Sequence, residues 1–185
     1  GKLIENILDL AMIEAGRMDL DLKDVNLRDM IDSSIEMVVS KAEDTQIAVR
    51  AEIAGELGTI RADERRLKQV LFNLISNSLR FTDSGGEIVV SAQRMGDMVT
   101  LSVRDNGRGL EAEKRATSFD SFVSGDQRGA GLGLALVKHF IDLHGGTVGM
   151  KPVEGGGLEV TCWLPVQASK AAQAQDLLLT EGVPA

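Results

Sequence analysis

The chain has 185 residues, of which 43% are hydrophobic and 26% charged, and its net charge is −8 at neutral pH. This composition is typical of a soluble globular protein with room for one domain and an appendage. The acidic balance, without any lysine and arginine cluster, excludes nucleic-acid binding, and no apolar run approaches the ~20 residues of a membrane span. Cys162 is the only cysteine, which excludes an internal disulfide and a cysteine-built metal site. We therefore expect an acidic, cytoplasmic protein without membrane contact.

The first third of the sequence predicts two helices and two strands. In chain order they are a helix over residues 2–15, a short strand over 18–22, a helix over 26–42 and a strand over 46–54. Asn26, with Asp29 three residues later, is a helix N-cap, and Gly16 stands where the first helix should end. That first helix has a wide apolar face, so we expect it to pack against a partner helix. The chain begins inside this helical pattern, and we expect it to be part of a longer protein.

The rest of the sequence predicts two more helices and two hairpins. In chain order they are a helix over residues 63–81, strands over 87–94 and 98–104, a loop region over 105–130, a helix over 131–143, and strands over 147–152 and 158–164. Gly96-Asp97 is a hairpin signal between the first two of these strands. Hairpins mixed with helices predict an α+β fold, a two-layer α/β sandwich in which about three helices cover one face of a mixed sheet.

The helix over residues 63–81 contains a polar stripe inside an apolar sequence, LFNLISNSLRF. An α-helix advances roughly 100° per residue, so Asn73, Asn77 and Arg80 lie on one side of it, in line with Gln69. Amide and guanidinium groups are costly to bury without partners. A polar ligand or a neighbouring loop should therefore face this stripe, and both alternatives are open at this point.

Two glycine-containing motifs accompany the stripe. DNGRG (residues 105–109) follows a strand, and GAGLGL (residues 129–134) opens a helix, where backbone N–H groups favour a phosphate. Asparagine oxygens can ligate Mg²⁺, and Asp105 could accept a hydrogen bond from the exocyclic amine of a base. Each motif alone is more often a simple turn or helix cap, and neither a Rossmann nor a Walker pattern is complete. A nucleotide with Mg²⁺ would satisfy all three features together.

With these motifs the sequence resembles the catalytic, ATP-binding domain of bacterial sensor histidine kinases, which has the GHKL (Bergerat) fold also seen in gyrase, Hsp90 and MutL. The four matching motifs are the N box at residues 63–82, the G1 box at 105–109, the F box at Phe119–Phe122 and the G2 box at 129–134. The resemblance implies three regions. They are the second helix of a dimerisation and phosphoacceptor hairpin (1–17), the catalytic ATP-binding domain (18–166) and a disordered C-terminal tail (167–185).

The resemblance also implies the residues of a nucleotide site. They are Asn73, Asn77, Arg80, Phe81, Asp105, Gly107, Gly109, Arg128, Gly129, Gly131, Leu132 and Gly133. On the phosphate side, Asn77 would ligate Mg²⁺ with Asn73 beside it, and Arg80 would contact a phosphate. Gly131 and Gly133 would line the phosphates.

On the base side, the resemblance implies that Phe81 packs by the adenine and that Asp105 takes its amino group. Gly107 and Gly109 would admit the base. Arg128 is the only basic residue of the lid sequence VSGDQRGA, which is short for this family, so ATP affinity could be weak.

A family member of this kind would hold ATP with Mg²⁺ and present the γ-phosphate to a histidine on the hairpin, outside this chain. His139 and His144 would then be helix-surface and helix-end residues. Relatives that hydrolyse ATP carry a glutamate base at the position of Asn73, so we expect phosphoryl transfer to protein and not ATP turnover. The implied partners are a second copy, through the hairpin, and a response regulator or partner kinase.

A second reading is a pseudokinase, a signalling scaffold of the same fold that controls another kinase or a response regulator. The lid and the sequence RGAGLGLALV with LHGG after it resemble the alphaproteobacterial DivL type, which has tyrosine at the acceptor position. Leu158 also stands where this family usually has a polar residue. A hydrolytic ATPase is a third reading, against which Asn73 argues.

Overall fold

The computed structural model describes residues 1–111 and 130–168. The helices are α1 (Lys2–Glu14), α2 (Leu27–Glu36), α3 (Val39–Asp44), α4 (Glu64–Phe81) and α5 (Ala130–Leu143). The strands are β1 (Lys23–Asn26), β2 (Ala48–Ala54), β3 (Thr59–Ala62), β4 (Glu87–Met95), β5 (Met98–Asp105), β6 (Thr147–Pro152) and β7 (Leu158–Pro165). Over these described ranges, none of the helices combines the length and hydropathy needed to cross a bilayer.

Five of the strands form a mixed sheet in the order β2-β4-β5-β7-β6. Strand β2 runs parallel to β4, and the other neighbouring pairs are antiparallel. The β4–β5 hairpin turns at Gly96-Asp97, with Met95 paired to Met98, as the sequence predicts. Gly96 has φ +62°, a left-handed conformation that glycine adopts without strain.

The two faces of the sheet differ in polarity because side chains alternate along each strand. Ala92, Leu101 and Cys162 are paired across three strands, and all are at most 2% exposed beneath the helices. One residue along, Ser91 and Ser102 are paired on the opposite, partly exposed face. Helices α2, α4 and α5 contact the strands from the apolar side. The predicted α+β fold, a mixed sheet with helices on one face, is confirmed.

Helix α4 runs from an N-cap at Asp63, whose Oδ1 accepts from the backbone N–H of Arg66 at 3.1 Å. Its apolar stripe is buried against the sheet and the neighbouring helices. Its buried apolar residues are Leu67, Val70, Leu71, Leu74, Ile75 and Leu79. This burial fixes the rotation of the helix, and with it the direction of the polar stripe.

The chain around residues 18–62 differs from the sequence prediction. Residues 18–22 form no strand. The strands lie instead at Lys23–Asn26 and Thr59–Ala62, which pair antiparallel in a separate two-stranded sheet. The alternation over 18–22 comes from Leu20 packing into the core, where it is 3% exposed. The two real strands are only four residues long, which is the lower limit for a signal from alternating residues.

The helix predicted over residues 26–42 is two helices, α2 and α3, separated at Met37-Val38. Asn26 does cap α2, since its Oδ1 accepts from the N–H of Asp29 at 3.1 Å. Val38 is 1% exposed and Met37 is 59% exposed, so the break turns the valine into the core. The β-branched pair Val38-Val39 also disfavours helix continuation.

Helix α1 lies against α5 and the first turns of α4. Leu10 is 3% exposed, and Asp9 Oδ2 accepts from Arg66 Nη1 at 2.9 Å and from Gln69 Nε2 at 3.2 Å. The outward stripe of α1 is apolar and exposed, and it consists of Ile4, Ile7, Leu8 and Met12. This exposed stripe has the character expected of a helix that packs against a partner helix.

The chain stays packed just beyond β7. The backbone N–H of Arg61 donates to the Val166 carbonyl at 2.8 Å, and that of Ala168 donates to the Arg61 carbonyl at 3.1 Å. Ala168 is 5% exposed. Most of the predicted tail, residues 169–185, lies outside the described residues, so the boundary at residue 166 stays a prediction.

Candidate nucleotide-binding site

The polar stripe of α4 lies beside the start of α5. Asn73 Nδ2 donates to the Gly133 carbonyl at 3.4 Å, and a Cβ added at Gly133 would lie 3.8 Å from Asn73 Cγ. Leu132 is half-buried and packs against the core. The structure thus brings the predicted N box and G2 box together, and part of the Asn73 amide is satisfied by neighbouring backbone.

Asn77 and Arg80 follow along the same side of α4. The Asn77 side chain is half-buried and has no hydrogen-bond partner among residues 1–111 and 130–168. Arg80 is exposed, with its guanidinium carbon 5.6 Å from the centroid of the Phe81 ring. Gln69, one turn before Asn73, bonds instead to Asp9 of α1. The polar stripe therefore contacts α1 at its beginning, through Gln69, and lies beside the candidate site further along.

Asp105, at the end of β5, is a charged residue that is only 5% exposed. Its Oδ1 accepts from the backbone N–H of Gly107 at 3.0 Å and of Leu158 at 3.3 Å. Its Oδ2 accepts from the Ser78 hydroxyl at 3.0 Å. A carboxylate offers about four acceptor positions, two on each oxygen, so one position on Oδ2 remains for a further donor.

The G1 box is pressed against the C-terminal end of α4. A Cβ added at Gly107 would overlap the Phe81 carbonyl, and the N–H of Arg108 donates to that same carbonyl at 3.1 Å. Gly109 has φ +70°, and a Cβ there would lie 3.1 Å from the Gly157 carbonyl oxygen. These glycines are required by backbone packing, and their expected role towards a base stays a prediction.

Sequence reasoning missed two parts of this site. The β6–β7 turn reaches the G1 box, where a Cβ at Gly157 would overlap the carbonyl of Asp105. The run of three glycines before Leu158 was the available signal. Ser78 was also missed, because a single serine in a helix gives no sign that it bonds to a distant strand.

Part of the predicted site lies outside the described residues. This holds for the F box (119–122), nearly all of the lid (123–129), Arg128 and Gly129. Gly131 belongs to the first turn of α5. The described part of the predicted site therefore consists of the N box, the G1 box and the second half of the G2 box.

The two histidines lie on α5 and just after it. His139 is half-buried on the helix, whereas His144 follows the helix end and is 1% exposed. His144 Nε2 accepts from the backbone N–H of Asp63 at 3.0 Å, so Nδ1 carries the proton and donates to the Phe140 carbonyl at 2.7 Å. Burial lowers the pKa of His144, although the Phe140 carbonyl and the nearby Asp63 carboxylate oppose this. His144 is a neutral structural link.

A cleft of about 690 Å³ lies between α1 and α4. Of the candidate site residues, Asn73 lines it, together with Asp9, Gln69 and Phe72. The cleft thus opens on the α1 side of the polar stripe, and Asp105 does not belong to its walls.

The chain belongs to the family of histidine kinase-, DNA gyrase B- and HSP90-like ATPases, whose model matches residues 62–168. This range contains α4, Asp105 and α5, the elements that meet at the candidate site. More narrowly, the chain is similar to the GHKL ATPase domains of sensor histidine kinases, which confirms the resemblance of the sequence.

Among curated proteins, the chain is 38% identical over 174 residues to the sensor protein DivL of Caulobacter vibrioides, covering 94% of this chain and 23% of DivL. The structure of full-length ShkA in complex with AMPPNP matches with a TM-score of 0.81 and 33% identity, over 89% of this chain and 35% of ShkA. Histidine kinase ThkA in complex with the response regulator protein TrrA matches with a TM-score of 0.74 and 25% identity, over 91% of this chain and 49% of ThkA. The chain spans about a quarter of DivL, so the activity of the whole protein is a proposal.

Proposed function

We propose that this chain binds ATP with Mg²⁺ and positions the γ-phosphate for transfer to a histidine on a dimerisation hairpin outside this chain. The observation that carries this proposal is the arrangement around α4. An acceptor position on Asp105, the Asn77 amide, which has no partner among the described residues, and the start of α5 all lie beside α4. The ShkA relative, described in complex with AMPPNP, supports the assignment.

The base would lie at the C-terminal end of α4. Asp105 accepts hydrogen bonds and donates none when ionised, so its remaining position on Oδ2 suits an exocyclic amine and disfavours a keto oxygen. Phe81 stands at the end of the same helix and would cover the base on one side.

The phosphates would lie between α4 and the first turn of α5. Helix α5 has 14 residues, and the N–H groups of its first turn are suited to an anion. Gly131 and Gly133 add no side chain to this turn, while Asn73 and Arg80 supply polar groups from α4. The charge of a triphosphate would thus meet donors from two helices.

The residues present also fit Mg²⁺. Asn77 offers an amide oxygen without a partner in the described residues, and oxygen is the ligand that this hard cation takes. Across the described residues, no group of three or more His, Cys, Asp or Glu side chains is placed to hold a metal. The remaining ligands would therefore come from water and the substrate phosphates. When bound, the ion neutralises phosphate charge.

Transfer to protein is favoured over transfer to water. At the position where hydrolytic relatives carry their base, Asn73 presents an amide that is held by the Gly133 carbonyl. An amide cannot accept the proton of an attacking water at neutral pH. The exposed stripe Ile4, Ile7, Leu8 and Met12 of α1 would pack in the hairpin of a homodimer. We further propose a cytoplasmic location, where ATP is available, and a response regulator as partner, as TrrA is for ThkA.

A second candidate function is a pseudokinase scaffold. The observation that favours it is the 38% identity to DivL over 94% of this chain. Such a protein would control another kinase or a response regulator through protein contacts, with weak or no use of ATP.

Calorimetric titration with ATP and Mg²⁺ tests the proposal. We expect the wild-type chain to bind ATP, Asn77→Ala to weaken binding at least tenfold, and Gln93→Ala on the open sheet face to leave it unchanged. Addition of a histidine-bearing hairpin and labelled ATP should then give a phosphorylated hairpin. No binding at millimolar nucleotide would refute the kinase proposal and leave the scaffold.

A further inference from the structure

We propose that Ser78 is a positioning residue for base recognition, whose hydroxyl holds Asp105 so that the carboxylate offers a single acceptor position to an amine. The inference rests on the proposed nucleotide function and adds a determinant of base specificity. Ser78 belongs to α4 and is 6% exposed, and its Oγ lies 3.0 Å from Asp105 Oδ2.

Three donors from three different elements fix the plane of this carboxylate. Gly107, in the loop after β5, and Leu158, at the start of β7, donate their N–H groups to Oδ1. Ser78 donates from α4 to Oδ2. Because both oxygens are held, the carboxylate cannot rotate about its Cβ–Cγ bond without breaking hydrogen bonds.

The choice of partner by Ser78 is unusual for a helical serine. Such a hydroxyl commonly bonds to the carbonyl four residues earlier in its own helix. Ser34 does this in α2, where its Oγ donates to the Met30 carbonyl at 2.7 Å. Ser78 instead donates to a residue 27 positions away. The two serines are both buried in helices, which makes Ser34 a matched control.

The number of acceptor positions left on the Asp105 carboxylate determines which bases it selects. With Ser78 present, one position on Oδ2 is left, directed by the three bonds already made. A base with an amine at that position gains a charge-assisted hydrogen bond, whereas a base with hydrogen or a keto oxygen there leaves a buried carboxylate short of a donor. Without the hydroxyl, Oδ2 has two open positions, and the carboxylate is held through Oδ1 alone. The amine then contributes less to binding.

The experiment compares ATP with purine riboside triphosphate, which lacks the 6-amino group, in calorimetric titrations with Mg²⁺. We expect wild type to bind ATP about 10- to 100-fold more tightly than the analogue, as for a hydrogen bond to a charged group. In Ser78→Ala this ratio should fall at least threefold, and in Ser34→Ala it should stay at the wild-type value. A Ser78→Ala protein that weakens both ligands by the same factor would overturn the proposal and make Ser78 merely structural.

Two further variants keep the test decisive if Ser78→Ala does not fold. Ser78→Thr retains the hydroxyl and should keep the wild-type ratio, whereas Ser78→Cys has a weaker donor and should lower it. Equal ratios of ATP affinity to analogue affinity in Ser78→Thr and Ser78→Cys would contradict the proposal. Failure of the wild-type chain to bind either nucleotide would instead refute the proposed function. An unchanged ratio of ATP affinity to analogue affinity in a Ser78 variant that still binds nucleotide would contradict the role of Ser78 and leave the proposed function intact.

Discussion

The imidazole of His144 accepts a hydrogen bond from the backbone N–H of Asp63 at 3.0 Å, across 81 residues of sequence. This bond ties the end of α5 to the residue that caps α4. The carboxylate of Asp63 accepts in turn from the N–H of Asp21, at 3.0 Å, and from that of Arg66, at 3.1 Å. The chain leaving α1 and the start of α4 are thus held at one point, which depends on a neutral histidine.

This link predicts a loss of stability in mild acid. Burial lowers the pKa of His144 from 6.5, so the unfolded chain takes up the proton at a higher pH than the folded chain. The contribution of His144 is therefore complete above about pH 6.5 and is lost as the pH falls below that value. Urea unfolding at pH 7.5 and 5.5 should show a smaller pH dependence in His144→Gln than in wild type. Identical pH dependence would contradict the assignment.

The contact of α1 with α4 predicts a measurable cost for Asp9→Ala. Asp9 and Arg66 are 17% and 13% exposed, so removing the carboxylate leaves a poorly solvated guanidinium. We expect the free energy of unfolding to fall by about 1–3 kcal/mol. The control is Asp32→Ala, which breaks an exposed pair with Arg28 and should change stability by less than about 0.5 kcal/mol. Equal losses of stability in the two variants would show that the contact between Asp9 and Arg66 contributes no more than an exposed ion pair.

The close approach of the G1 box to α4 predicts that two glycines respond differently to alanine. Gly107→Ala should destabilise the domain by about 1–3 kcal/mol, because the added methyl group overlaps the Phe81 carbonyl. Gly133→Ala has room, with Asn73 Cγ at 3.8 Å, and should keep or raise stability while weakening ATP binding. Thermal unfolding and ATP titration of both variants separate the two effects. A fully stable Gly107→Ala variant would contradict the packing described here.

The amide at Asn73 predicts that the isolated chain does not turn over ATP. With Mg²⁺ and saturating ATP, phosphate release should stay at the background rate, since no base activates water. Asn77→Ala serves as the control for contaminating activity, as it removes the expected ligand of the ion. Steady phosphate release that Asn77→Ala abolishes would overturn the prediction.

Local signals in the sequence correctly predicted much of the fold. The cap at Asn26, the helix start at Asp63 and the turn at Gly96-Asp97 each depend on neighbours within a few residues, so their effect is visible in the sequence. The strands at Lys23–Asn26 and Thr59–Ala62 were missed because each depends on the other for its hydrogen bonds and neither has a long pattern.

At the candidate site, too, local motifs are visible in the sequence and long-range contacts are not. Asn73 and Asp105 stand in motifs whose spacing is recognisable, and the structure places both motifs around α4. Ser78 and Gly157 owe their importance to contacts with Asp105 made across the fold. Such contacts leave no periodic trace, because they depend on where the sheet brings distant residues and not on local preference.

Helix α4 has 18 residues and is about 27 Å long, and both of its ends are occupied. Asp9 holds the first turns through Arg66, and the G1 box holds the last turn through the Phe81 carbonyl. A packed helix moves as a stiff body, so a shift of α1 that displaces Arg66 also displaces Asn77. The proposed dimerisation helix and the proposed nucleotide would therefore contact one and the same rigid helix, at its two ends.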